Sequence, residues 1–240
     1  MKRFLITSVL LTCLFVSDLT ADALWQAAVE LYAQNRNVYA TRIQTNSAEY
    51  DARGNRRFSR QTEIQVTSDA RGIAQSRLVW LREDGRELPP NDAITSASDA
   101  ATPDSADPSN EGRAAAMAVL QNSPFDPDLQ PAISVTRAGT EPKYHYTLEL
   151  DQRSVTGTAW LDPQDGTPLR LTATIRPLPR FVHELQVEQH FAHNSIGWHT
   201  SRASINAEGG FLFIKRRIEI TLLFLDHTSS GDQPTGEIKR

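Results

Sequence analysis

Leu169-Arg170-Leu171-Thr172-Ala173-Thr174-Ile175-Arg176 alternates apolar and polar residues without a break. A period of two places every apolar side chain of an extended strand on one face and every polar one on the other. The pattern continues outward on both sides, from Thr156 to Asp226. Phe181, Leu185, Val187 and Phe191 alternate with Glu184, Gln186, Glu188 and His190. Leu212, Ile214, Ile218, Ile220, Leu222 and Phe224 form the longest such series. Several long strands joined by tight turns predict a broad antiparallel sheet with one apolar face, which something must cover.

Working back toward the N-terminus, the alternation predicts strands at about Val38–Glu49, Phe58–Thr67, Ser76–Arg82, Ser134–Ala138, Lys143–Leu150 and Ser154–Leu161. Those of the last third are expected at Leu169–Arg176, Phe181–Phe191, Gly197–Ile205 and Phe211–Asp226. Gly54-Asn55, Asp162 to Gly166 and Glu208-Gly209-Gly210 read as the turns between strands. Two helices are predicted. Leu24 to Asn35 places Leu24, Ala27, Ala28 and Leu31 on one face, and Arg113 to Gln121 is short and alanine-rich. The fold class is therefore mainly β with few helices, an α+β arrangement. Between Glu83 and Gly112 there is little to bury: prolines alternate with Asp92, Asp99, Asp104, Asp107 and Glu111, which reads as a flexible acidic insert. One domain, residues 24–227, is expected, with a polar tail over 228–240.

Lys2 and Arg3, the apolar run Phe4 to Leu11 and the small-residue sequence Ala21-Asp22-Ala23 form the pattern of a secretory signal peptide, residues 1–23. Export to the periplasm is the expected localisation. No other run approaches the ~20 apolar residues of a membrane span, so no transmembrane segment is expected in the mature chain. Cys13 is the sole cysteine. It could anchor a lipoprotein, but Thr12 precedes it and Leu14, Phe15 and Val16 prolong the apolar run, so the expectation is an ordinary cleaved leader. The net charge of -4 excludes the basic excess that nucleic-acid binding requires.

No Gly-x-Ser-x-Gly elbow or phosphate-binding glycine loop occurs, so no catalytic residue and no cofactor are assigned and the chain is read as a non-enzyme. His190, His193 and His199 lie close in sequence, but without a carboxylate nearby they read as exposed strand histidines rather than zinc ligands. Asp162 with Asp165, and Asp126 with Asp128, read as turn residues rather than catalytic or calcium-binding pairs. Arg53, Arg56, Arg57 and Arg60 surround the first hairpin and read as a solvated turn. Arg216 is unusual because it shares the face of Ile214 and Ile218. A charge there must meet a headgroup, a carboxylate or a bulge in the strand. The aromatic residues Trp80, Tyr146, Phe181, Phe191, Phe211, Phe213 and Phe224 fit either a filled core or a core with a cavity left over.

Gly157-Thr158-Ala159-Trp160-Leu161-Asp162-Pro163, followed by Gly166-Thr167-Pro168-Leu169, resembles a hairpin of the LolA/LolB-like periplasmic half-barrels. Phe211 to Asp226 is similar to their long closing strand. The resemblance implies a curved antiparallel sheet, a half-barrel, lidded by the N-terminal helix and the inserted helix. It also implies a hydrophobic cavity that holds a lipid or an acylated protein segment, as in a carrier or a sensor. The Arg-Pro pair of an early strand in the lipoprotein carriers has no counterpart in Leu78-Val79-Trp80-Leu81-Arg82, so no functional residue is carried over. From the alternation, the cavity wall is expected on the even-numbered face of the last strand: Leu212, Ile214, Arg216, Ile218, Ile220 and Leu222. The alternative is a cell-envelope protein-interaction module with a filled core, docking a partner through its acidic insert.

Overall fold

A computed structural model describes residues 23–68, 74–89, 108–211 and 214–229. The leader, most of the acidic segment, Leu212, Phe213 and the polar tail from 230 lie outside the described residues. The chain forms one open antiparallel sheet of eleven strands in the order β4-β3-β2-β1-β11-β10-β9-β8-β7-β6-β5. The strands are β1 (Val38–Asp51), β2 (Arg56–Ser68), β3 (Ala74–Glu83), β4 (Arg86–Leu88), β5 (Ile133–Arg137) and β6 (Lys143–Leu150). They continue as β7 (Arg153–Leu161), β8 (Pro168–Arg176), β9 (Val182–Asn194), β10 (Gly197–Phe211) and β11 (Ile214–Ser229). Helices α1 (23–34) and α2 (Pro108–Gln121) and a 3-10 turn, Pro127–Ala132, complete the fold. This is the expected mainly β half-barrel with helices against one face.

The chain begins in the middle of the sheet. β1 to β4 step outward in one direction, and β5 to β11 return from the opposite edge until β11 pairs with β1, from Val38↔Ser229 to Asp51↔Arg216. The core lies between the helices and β5–β11. Ala28 and Val29 of α1, Ala115, Ala116 and Val119 of α2, and Phe125 are buried against Tyr144, Leu148, Val155, Leu171, Ile175 and Val187. The small residues of both helices let their backbones lie close to the sheet. Gly166 is needed for the same reason. Its φ is +78°, and a Cβ there would stand 2.5 Å from the Leu24 carbonyl.

Several local readings differ from the structure. Glu208-Gly209-Gly210 is not a turn: these residues pair with Arg217, Arg216 and Lys215 inside the β10–β11 ladder, which runs to Phe211↔Ile214. Their glycines serve a close approach instead. The β9–β10 register shifts between Glu208 and Gly209, the Gly210 amide donates to the Phe181 carbonyl at 2.8 Å, and a Cβ on Gly209 would lie 2.4 Å from that oxygen. Leu169 is 46% exposed rather than facing the core. It is the extra residue of a bulge, because Trp160 pairs with Arg170 and Leu161 with Pro168. The segment read as an insert from Glu83 contains β4, joined to β3 through Asp84 and Gly85, whose φ angles of 48° and 82° suit a two-residue hairpin. α2 also begins within it, at Pro108, a residue whose fixed φ suits a first helical turn. At the first hairpin only Gly54 needs a positive φ, 81°, and Asp51 closes the turn by accepting from the amides of Arg53 and Asn55. The polar tail starts after β11 rather than at Thr228.

Candidate functional site

Helix α1 is fixed at both ends. Trp25 packs its ring 5.0 Å from Phe125 and 5.7 Å from Tyr144, and its indole N–H donates to Gln130 Oε1 at 3.1 Å. Tyr32 meets Trp198 edge-on, and Trp198 stacks on Phe191 at 4.6 Å. Asn35 ends the helix by donating to the Leu31 carbonyl and accepting from the Trp198 amide, at 2.8 and 2.9 Å. Beyond it, Arg36 reaches Asp126 at 2.5 Å and Asp128 at 2.6 Å, so this aspartate pair holds an arginine as well as its own turn. Asp162 and Asp165 serve their turn alone, accepting the Gln164 and Thr167 amides at 2.8 Å. The Thr167 hydrogen bonds hold the Asp165 carboxyl below its ordinary pKa.

The helices cover only part of the sheet. Among the described residues none of β1–β4 belongs to the buried hydrophobic cluster, and the sole buried one there is Glu63, whose carboxylate accepts from Gln44 at 2.7 Å. The antiparallel registers nevertheless carry the core-facing side of the sheet straight into this wing. Ile205, Ile220 and Ser47 stand opposite one another, as do Ala203, Leu222 and Thr45. Phe224, Ile43, Ile64 and Leu78 form a further row across β11, β1, β2 and β3. All four are half-buried. Toward the β1–β2 turn the same face becomes charged, with Arg216 paired to Glu49 and Arg60 paired to Glu83. The wing therefore offers one apolar row, flanked by Thr45, Ser47 and Thr62, on a face rimmed by two ion pairs.

The sequence-predicted cavity residues sit on the border of this face. Ile220 is 8% exposed and part of the core, while Ile218 and Leu222 are half-buried against it. Arg216 is exposed and meets a carboxylate, one of its three anticipated partners. Ile214 opens β11 at the hairpin, paired with Phe211, and Leu212 lies outside the described residues. The contributions of β1–β3 are absent from the sequence-based assignment. Their signal was weak because Thr45, Ser47 and Thr62 interrupt the apolar rows.

Among the described residues no three histidine, cysteine or acidic side chains gather as a metal site. His190 instead contacts Glu188 at 2.9 Å, and Arg53, Arg56 and Arg57 are exposed. His199 departs from the expected exposure. It is 8% exposed and lies on the His227 ring, with centroids 3.6 Å apart. His199 Nδ1 and His227 Nε2 each face a backbone carbonyl, Gly197 O and Thr200 O, so each must be the protonated nitrogen of its ring. Burial, and then the His199 ring, lower the His227 pKa.

No family model matches the chain, and no curated protein matches it. Among solved structures, a lipovitellin structure concerned with lipid–protein interactions is similar over 80% of this chain, at 8% identity and a TM-score of 0.33. This chain spans 25% of the lipovitellin chain. MucB in complex with MucA(peri) is similar over 88% of this chain and 98% of that one, at 11% identity and a TM-score of 0.18. A Pseudomonas aeruginosa MucA/MucB complex gives the same coverages and identity with a TM-score of 0.19. Likeness at this level does not define a family. No described helix is long and apolar enough to cross a membrane.

Proposed function

We propose that the protein is an exported, non-enzymatic carrier or sensor that holds a lipid or an acylated segment along the inner face of β11, β1, β2 and β3. The observation that carries this reading is this face: an apolar row beside the core, half-buried and not covered by the helices, ending in the Arg216–Glu49 and Arg60–Glu83 pairs. An acyl chain suits the apolar row, at about 0.8 kcal/mol for each methylene fully buried, and a polar headgroup suits the paired charges at the rim. Export rests on the leader sequence, and the half-barrel resemblance points to the same ligand class.

Native mass spectrometry of protein purified from the periplasm tests it. The intact mass should exceed the denatured mass by a lipid-sized increment. Ile64→Asp and Ile43→Asp should remove that increment while leaving the circular dichroism of the sheet unchanged, because both positions are half-exposed. A bare intact protein, or lipid retained by both variants, would overturn the reading.

The packing of α1 and α2 onto β5–β10 supports a second reading, a protein-interaction module with a filled core. Crosslinking to an envelope partner that is lost on deletion of residues 92–106 would favour it.

A further inference from the structure

β8 and β9 are consecutive strands, yet their pairing is confined to Arg170↔His190 through Ala173↔Val187. β8 continues to Arg176, and β9 has already begun at Val182. Thr174–Arg176 and Val182–Gln186 are thus extended and face one another without pairing. Each is held on its far side, by β7 through Ser154↔Arg176 and by β10 through Ala207↔Leu185. A cavity of about 600 Å³ lies at this divergence, lined on one side by Thr174 and Arg176 and on the other by His183 to Gln186.

Backbone N–H and C=O groups on an interrupted ladder retain their hydrogen-bonding demand, and a polypeptide in extended form satisfies it best. The lining is hydrogen-bonding in character. Thr156, Thr158 and Thr172 extend it across β7 and β8, and Arg176, His183 and Glu184 make no ion pair among the described residues. Tyr146, also in the lining, has a buried hydroxyl with no hydrogen-bond partner among the described residues. Ile175 and Leu185 turn toward the core between these polar positions.

We infer that the β8–β9 divergence is a docking site for a short extended peptide segment of a partner protein, which would complete the ladder between the two strands. The site is separate from the apolar row on β1–β3 and does not depend on a lipid being there. The unpaired stretches, residues 174 to 176 of β8 and 183 to 186 of β9 (the Val182 amide donates to the Pro179 carbonyl), set the length at three to four paired residues, which a capped peptide of about five spans. Alternation sets the chemistry: hydroxyl or carboxylate groups outward toward Thr174, Arg176 and His183, the last placed there by the register shift that leaves it unpaired between Val182 and Glu184, and β-branched residues inward toward Ile175 and Leu185.

The probe is the peptide acetyl-TVEVT-amide, and the readout is amide hydrogen exchange of the full protein. Without peptide, the gap-facing amides of residues 174–176 and 183–186 should exchange much faster than those of Leu171 to Ala173. With peptide at about 1 mM they should become protected. N-methylation of both valine nitrogens removes the donors facing one strand and should weaken binding about tenfold or more. Arg176→Glu, at an exposed position, should weaken this peptide and strengthen acetyl-TVKVT-amide. Three results would each overturn the inference: slow exchange of these amides in the free protein, no protection at that peptide concentration, or equal protection by the N-methylated peptide.

Discussion

Replacing Trp25 with alanine decides whether α1 is a fixed part of the core or a lid that lifts. Trp25 is 8% exposed, its ring lies 5.0, 5.7 and 6.5 Å from those of Phe125, Tyr144 and Tyr146, and it donates to Gln130. Removing so large a buried ring costs about 3–5 kcal/mol through lost transfer energy and the cavity left behind. Gln130 keeps its own donations to the Pro124 and Asp126 carbonyls, both 2.9 Å, so only its Oε1 loses a partner. Trp25→Phe retains most of the ring contact and loses the N–H bond, a cost of about 1–2 kcal/mol. With a urea m-value of about 2–3 kcal/mol/M, the unfolding midpoint of Trp25→Ala should fall by about 1–2.5 M and that of Trp25→Phe by under 1 M. Urea titration followed by far-ultraviolet circular dichroism measures both. A shift of less than ~1 kcal/mol for Trp25→Ala would mean that α1 is not docked as described, and the packing account of the core would fail with it.

Three other outcomes follow from the same contacts. Gly166→Ala combines a positive φ with a Cβ pressed on the Leu24 carbonyl, and should lower stability by roughly 2 kcal/mol in thermal unfolding. His227 titrates lower in the folded protein than in the unfolded chain, with His199 and Asp226 the titratable groups beside it. The unfolded chain therefore takes up the proton first on acidification. This contribution to stability is complete above the ordinary histidine pKa and is lost as pH falls through it toward the folded value. His227→Gln should flatten that part of a stability–pH curve, and an unchanged curve would refute the assignment. Arg216→Ala should change stability by less than about 1 kcal/mol, since the Arg216 side of its pair with Glu49 is about half exposed; a larger loss in denaturant titration would mean a tighter role for the pair.

The strands were legible because period-two alternation reports burial directly, and in β6 to β10 one face is buried. Lys143–Leu150 matched to the residue, and α1 was legible from Ala28 and Leu31 sharing a face. The errors fell where backbone geometry, not side-chain polarity, decides. Gly209 and Gly210 have the composition of a turn but answer to the approach of Phe181. Leu169 obeys the alternation in sequence and is expelled by a bulge that pairing partners alone reveal. Asp84-Gly85 was a readable hairpin signal, masked by the prolines and acidic residues that follow. Of the proposed binding face, the β11 strand face was readable, because Ile218, Ile220 and Leu222 alternate along one side of it. The β1–β3 side was not, because Ile43, Ile64 and Leu78 come together only through register. The β8–β9 divergence has no sequence signature: Thr174 and Gln186 continue the alternation of the strands that hold them.

The central position of the β1–β11 ladder has a mechanical consequence. Every other pairing joins strands adjacent in sequence, whereas this seam joins residues as far apart as Val38 and Ser229. Since β1–β4 share no buried cluster with the helices, the four-strand wing is suspended from the body mainly by one line of backbone hydrogen bonds. Such a line opens as a unit, so β1 to β4 should behave as a separate cooperative element, unzipping at lower free energy than β5–β10. Closing the seam brings together distant parts of the chain at a high entropic cost, which makes it the last step of folding and the first of unfolding.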